Sequence, residues 1–233
     1  MKTERAMTNP GDRKLLIFDC DGTLVDSELL CNIALECCLA RAGIVEHAAS
    51  LLTRYRGSRL SSILSEICSL HRCSLPGDFV EGYRDEVAAL FERELKATDG
   101  VADALAQLGN AKCVASSGPI SKIRHALALT HLSHFFDERL YSSYVIQSWK
   151  PDPAIYLHAA SGEGFRPEDC IVIEDSLLGI QAAQRAGMAF LLYDPEEQVA
   201  PICPAGGLYF SKMTELPGLI QQLSERPFPT IES

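Results

Sequence analysis

Four apolar residues, Leu15-Leu16-Ile17-Phe18, end abruptly in Asp19-Cys20-Asp21-Gly22-Thr23, and this stretch constrains the fold more than any other. An uninterrupted apolar run of strand length suits a strand buried on both faces, as in a parallel sheet. The carboxylates then begin where such a strand reaches its carboxyl end, the edge at which open α/β sheets bind their ligands. Two aspartates one residue apart at the mouth of a buried sheet repel each other unless a cation or a shared proton compensates them. A metal-dependent site is the economical reading, and an Asp-Gly turn closing a hairpin is the other.

Three later segments supply what phosphoryl transfer needs. Lys112–Pro119 reads as a second strand ending in hydroxyls, with Pro119 suited to the first turn of a helix. Ser116 can donate to a phosphate oxygen and the main-chain N–H groups near Ser117 and Gly118 can add to it, although Ser-Ser-Gly is also ordinary loop chemistry. In Trp149-Lys150-Pro151-Asp152-Pro153 a lysine precedes two prolines that fix the loop and start another helix. Held there, Lys150 could neutralise a phosphate and nearby carboxylates together; taken alone it reads as a solvated surface charge. Cys170-Ile171-Val172-Ile173-Glu174-Asp175-Ser176 repeats the opening pattern, an apolar strand ending in paired acids. A helix N-cap role for Asp175 is the plainer alternative.

In this order the four segments resemble the motifs of the haloacid dehalogenase superfamily. Asp19–Thr23 matches its Asp-x-Asp-x-Thr, Ser116 its Ser or Thr, Lys150 its lysine, and Glu174-Asp175 its acidic pair. The resemblance runs from Leu15 to about Leu219. Within the superfamily the chain is similar to the β-phosphoglucomutase group, with a helical cap inserted directly after the first motif. The likeness is greatest to the bacterial 6-phosphogluconate phosphatases of that group, through Cys20–Glu28, Tyr55-Arg56-Gly57 and Trp149–Ala154, with Trp149 standing where the wider superfamily commonly has Gly.

This resemblance implies an α/β fold, a Rossmann-like doubly wound parallel sheet carrying an all-helical cap. It implies a Mg²⁺-dependent phosphatase for a small phosphorylated sugar or sugar acid, 6-phosphogluconate first among them. Asp19 would attack phosphorus and Asp21 would serve as acid and base. Asp19, Asp175 and the main-chain carbonyl of Asp21 would hold Mg²⁺, with Glu174 in or near that shell. Ser116, Ser117, Gly118, Lys150 and Thr23 would bind the phosphate, with Thr23 and Ser116 also orienting the aspartates. A sugar phosphomutase sharing the aspartyl-phosphate is the alternative. A non-hydrolytic phospho-acceptor signalling module is a further one, opposed by the order of the motifs and by the insertion after Ser27. A dehalogenase is disfavoured, because Asp21-Gly22-Thr23 is the phosphatase form of the first motif.

Beyond Ser27 the period turns helical. Leu29, Leu30, Ile33, Ala34 and Cys37 form a stripe that Gly43 stops, and similar stretches follow at about 58–71 and 78–96. Residues 28–96 are expected to form the cap, with hinges near Asp26-Ser27 and Ala97–Gly100, while 14–27 and 97–224 form the core. From Val101 onward helix and strand alternate, with strands expected at 112–115, 139–142, 170–174 and 189–193 and helices at 119–129, 153–161 and 177–186. Such alternation makes a parallel sheet with helices on both faces. Residues 1–13 and 225–233 are expected to fray.

Substrate evidence is confined to the insertion. No acidic residue lies between Glu46 and Glu66, while Arg54, Arg56 and Arg59 cluster beside Gly57. In an acidic chain such a cluster can face the site and hold a carboxylate or second phosphate, with Arg56 and Arg59 the candidates; solvated helix-end arginines are the alternative. A net charge of −10 argues against a general nucleic-acid surface. Apolar runs of strand length make no membrane span, and residues 1–13 carry no apolar core of a secretory signal. The cytoplasm is therefore expected, and a small phosphoester is the expected partner. A monomer is expected, with a homodimer as the alternative. Nine cysteines without Cys-x-x-Cys spacing read as buried thiols of a reducing compartment. Cys20, between two carboxylates, is a packing residue on this reading, because anionic neighbours disfavour a thiolate.

Overall fold

The computed structural model describes residues 14–197, 199–202 and 207–225. Six strands form one sheet: β1 (Leu15–Phe18), β2 (Ala111–Ser116), β3 (Leu140–Ser142), β4 (Cys170–Glu174), β5 (Ala189–Tyr193) and β6 (Leu208–Phe210). All pairings are parallel, in the order β3-β2-β1-β4-β5-β6. Alternate side chains of β1 enter two separate cores, as the pleat requires. Leu16 and Phe18 join Val114, Ile173 and Leu191 on one face, while Leu15 and Ile17 join Cys113, Val172 and Leu192 on the other. The first face is covered by α5 (Val101–Gln107), α6 (Ile120–Leu129) and α11 (Leu216–Glu225), the second by α9 (Ala154–Glu163) and α10 (Leu177–Arg185).

The sheet reverses its winding at β1, which pairs with β2 on one side and β4 on the other. Phe18 is in register with both Val114 and Ile173. The acidic and hydroxyl segments that follow these strands therefore emerge together at the topological switch point.

Between β1 and α5 the chain forms four helices: α1 (Glu28–Arg41), α2 (Ala48–Tyr55), α3 (Leu60–His71) and α4 (Phe79–Glu94). They share an apolar cluster of their own around Leu39, Leu51, Ile67 and Phe79. The bases of α1 and α4, through Leu30, Ala34, Leu90 and Phe91, pack into the first core of the sheet. The outgoing and returning connections lie side by side. Asp26 N donates to Lys96 O at 3.0 Å and Thr98 N to Leu24 O at 3.0 Å, which ties together the two segments expected as hinges.

Several elements escape the sequence pattern. The one-turn helices α7 (Ser133–Phe136) and α8 (Ser143–Ile146) and the three-residue β6 are too short to show a period. Helix α2 is hidden by its eight-residue length, and α11 by Pro217-Gly218, which reads as a turn yet fits the first turn of a helix. The ends expected to fray lie outside the described residues, apart from Glu225, which ends α11. Cys203 also lies outside them. Among the remaining cysteines, all free thiols, Cys20, Cys38, Cys113 and Cys170 are buried, whereas Cys31, Cys37, Cys68 and Cys73 are partly exposed and so depart from the buried-thiol expectation. Among the described residues no helix is long and apolar enough to cross a membrane.

Candidate active site

The strand ends bring together three carboxylates and a lysine from distant parts of the chain. Lys150, buried in the loop before α9, donates to Asp19 Oδ1 at 2.7 Å and also to Glu174 Oε1. Oε1 of Glu174 additionally accepts the Tyr156 hydroxyl at 3.0 Å. Its other oxygen accepts Asp175 N at 2.9 Å, Ser176 N at 2.7 Å and Ser176 Oγ at 2.9 Å. Ser176, not Asp175, is the N-cap of α10 and accepts Gly179 N at 3.1 Å. That leaves Asp175 without the capping role its sequence position allowed. Asp175 instead accepts from Thr23 Oγ1 at 3.2 Å, and its Oδ2 lies 3.7 Å from Arg56 Nε.

These groups fit a divalent cation. Carboxylate oxygens of Asp19, Glu174 and Asp175 lie within 4.8 Å of one another, all buried. Burial pushes Asp19 up to about 7 against the pull of Lys150, with Glu174 adding repulsion. Burial also pushes Asp175 well above the usual carboxylate range, helped by Glu174, Glu28 and Asp19. Glu174 differs: against the cost of burial, Lys150 and the Ser176 hydrogen bonds hold it below its ordinary value. Its charge is matched within the protein, whereas Asp19 and Asp175 are left with the charge deficit that a metal dication would remove.

Asp21 turns away from this cluster. Its Oδ1 accepts Ser27 Oγ at 2.5 Å and Lys122 Nζ at 2.8 Å. Against burial, the Lys122 ammonium and these hydrogen bonds keep Asp21 below its ordinary pKa. Cys20 is buried between the two aspartates, and burial followed by the charges of Asp21 and Asp19 pushes its thiol well up, in keeping with packing. Across the switch point, Ser116, Ser117 and Gly118 line the same cleft. Gly118 N donates to Ser116 Oγ at 3.1 Å, and its carbonyl is held by Ser142 Oγ at 2.6 Å. Thr23, expected to orient the aspartates and the phosphate, is fully buried and gives its hydroxyl to Asp175.

The cleft between the sheet edge and the helical insertion holds about 350 Å³, room for a small metabolite. The expected arginine cluster splits three ways. Arg54 pairs with Glu46 at 2.9 Å and is removed from the site. Arg56 aims its buried Nε, which lacks a hydrogen-bond partner, at Asp175. Arg59 lines the cleft, its guanidinium 3.4 Å from the centre of the Trp149 ring. Gly57 makes this approach feasible: at φ +74° it tolerates the left-handed turn, and a Cβ there would already sit 3.0 Å from Ser176 Cβ. Trp149 meets Tyr144 edge-on at 5.5 Å, and Arg84 of α4 lies over Tyr144 at 5.7 Å.

Lys122, Ser27, Tyr156 and Arg84 were not legible as site residues. Lys122 and Tyr156 each sit in the first turn of the helix that follows a recognised loop, and a polar group at that place is the signal that could have found them.

Residues 16–193 match the family model for haloacid dehalogenase-like hydrolases. The 6-phosphogluconate phosphatase of Escherichia coli K12 is 36% identical over 205 residues, covering 88% of this chain and 93% of that protein. A crystal structure of a conserved haloacid dehalogenase-like protein from Agrobacterium tumefaciens superposes with a TM-score of 0.78 at 29% identity, covering 91% of this chain and 99% of the other. A Thermotoga maritima protein provisionally assigned as a β-phosphoglucomutase superposes with a TM-score of 0.70 at 25% identity, covering 90% and 99%.

Proposed function

This chain belongs to the haloacid dehalogenase-like hydrolases, and from that premise we propose that it is a Mg²⁺-dependent phosphatase of small phosphorylated sugar acids, 6-phosphogluconate first among them. The observation that carries the chemistry is the 2.7 Å contact between Lys150 and Asp19. It fixes an anionic nucleophile beside a cation that can also meet a phosphoryl oxygen, which reduces the repulsion that otherwise protects a phosphomonoester.

In this reading a carboxylate oxygen of Asp19 attacks phosphorus as the ester P–O bond breaks, giving an aspartyl-phosphate. The departing alkoxide takes a proton from Asp21. Asp21 then accepts a proton from the water that attacks the same phosphorus, which releases inorganic phosphate and restores Asp19. Lys122 and Ser27 hold Asp21 as a carboxylate in the free site; an arriving phosphate dianion raises its proton affinity, and Asp21 takes up one proton from solvent as the substrate binds, which is the proton it then gives to the alkoxide. The Ser116 hydroxyl and the Ser117 main-chain N–H would donate to the phosphoryl oxygens, while the Gly118 N–H holds Ser116 Oγ. A bound Mg²⁺ would be held by Asp19, Asp175 and the main-chain carbonyl of Asp21, with Glu174 beside it, and it supplies positive charge to the transferring group.

For the substrate, support comes from Arg59. It is exposed to the cleft and flattened on Trp149, so its outward edge is pre-organised for a planar carboxylate at the far end of a phosphorylated sugar acid. A panel of sugar phosphates, assayed with Mg²⁺ for inorganic phosphate and for the carbon product, tests the reading. We expect 6-phosphogluconate to give the highest kcat/KM and to yield gluconate with equimolar phosphate. An isomerised sugar phosphate without phosphate release would make the protein a mutase.

A further inference from the structure

Lys122 is absent from every motif of the sequence, yet its ammonium forms a 2.8 Å ion pair with Asp21 across 101 positions of chain. It extends from α6, on the sheet side of the cleft, and Ser27 approaches the same carboxylate from the start of α1. Both donors use one oxygen, Oδ1. Among the described residues no hydrogen bond reaches Oδ2, which faces the phosphate loop: a Cβ added at Gly118 would stand 3.7 Å from it. We propose that Lys122 is a positioning residue for the proton-transfer step, locking Asp21 through Oδ1 so that Oδ2 is the atom that gives and takes the proton. The inference rests on the acid/base reading of Asp21 given above.

The geometry favours this over direct binding of substrate by Lys122. Its ammonium is engaged by Asp21 and lies 5.6 Å from the centre of the Phe91 ring, while Cys31 and Tyr83 stand beside it on the insertion. A side chain enclosed in this way restrains its partner's rotation, and a carboxylate misaligned by a fraction of an ångström loses much of its value in proton transfer.

Single-turnover measurements on Lys122→Met, with 6-phosphogluconate and with 4-nitrophenyl phosphate, test the proposal. The aryl leaving group needs little protonation. We expect phosphoenzyme formation from 6-phosphogluconate to slow at least tenfold with little change in KM. Formation from the aryl ester should slow less than threefold, leaving breakdown of the phosphoenzyme as the slow step. Adding Lys122→Met to Asp21→Asn should cost nothing further. Equal losses on both substrates, or a multiplicative loss in the double variant, would overturn the proposal. Should Lys122→Met fail to fold, Lys122→Gln keeps the length and removes the charge, and the same ratio of losses decides. If Asp21→Asn turns over 6-phosphogluconate at the normal rate, the acid/base reading itself fails. If Asp21→Asn is slow and Lys122→Met is not, only the assignment of Lys122 fails.

Discussion

The Lys150 ammonium stands 2.7 Å from Asp19 Oδ1, joining residues 131 positions apart at the centre of the sheet edge. Glu174 closes the arrangement by binding the same ammonium and accepting four further hydrogen bonds, so it anchors the lysine that faces Asp19. The acidic pair thus divides its work: Glu174 is matched by Lys150, whereas burial and its acidic neighbours disfavour the charge on Asp175.

The Lys150–Asp19 contact predicts separable losses. Asp19→Asn should remain folded and form no covalent phosphoenzyme, as read by mass spectrometry after quenching with acid. Lys150→Ala leaves Glu174 buried without its cation. It should lower kcat on all phosphoesters alike and destabilise the fold by about 3–5 kcal/mol, the usual result of removing one member of a buried pair, measured by chemical denaturation. A stable Lys150→Ala variant would mean that Glu174 finds another partner.

Chelation should abolish phosphatase activity, and added Mg²⁺ should restore it. Asp175→Asn should weaken this restoration by orders of magnitude. In chelator the same variant should be more stable than the unaltered protein, because a buried carboxylate that its neighbours repel has been neutralised. Thermal melts with and without Mg²⁺ check both points, since ligand binding raises the midpoint only where the site is intact. Ser176→Ala, which removes the actual cap of α10, should cost about 0.5–2 kcal/mol.

The three arginines should behave differently. Arg59→Ala should lower kcat/KM for 6-phosphogluconate by tenfold or more, as a charge-assisted contact is worth about 1.5–3 kcal/mol, and should spare glucose 6-phosphate, which lacks the carboxylate. Arg56→Ala should reduce both substrates alike, because its side chain faces Asp175. Arg54→Ala should leave both nearly unchanged, its charge being taken up by Glu46. Equal losses on the two substrates in Arg59→Ala would make the residue a general anion funnel.

Gly179→Ala in α10 and Gly82→Ala in α4 provide a stability test. An added Cβ at Gly82 meets nothing within 4 Å, so the better helix former should stabilise by about 0.5–1 kcal/mol. At Gly179 the Cβ would overlap the Glu174 carboxylate. The gain in propensity is then outweighed, and displacement of Glu174 should carry Lys150 with it, lowering kcat at least tenfold. Comparing denaturation midpoints and kcat for the two variants separates the effects.

The sequence by itself determined the parallel sheet and the identity of its reactive edge. Runs such as Leu15–Phe18 and Cys170–Ile173 are buried on both faces, and the polar residues that interrupt them fall at strand ends because the strands can continue no further. Asp19, Ser116, Lys150, Glu174 and Asp175 could be named from that logic and from the resemblance it supported. Tertiary structure alone decided how those groups share their charges: that Glu174 is spent on Lys150, that Thr23 serves Asp175, that Lys122 grips Asp21, and that Arg54, Arg56 and Arg59 part company. Local periodicity reports which face of an element is apolar, but these pairings join side chains across loops and between the insertion and the sheet. Their partners are fixed by distance and direction in the folded chain, which neither spacing nor composition encodes.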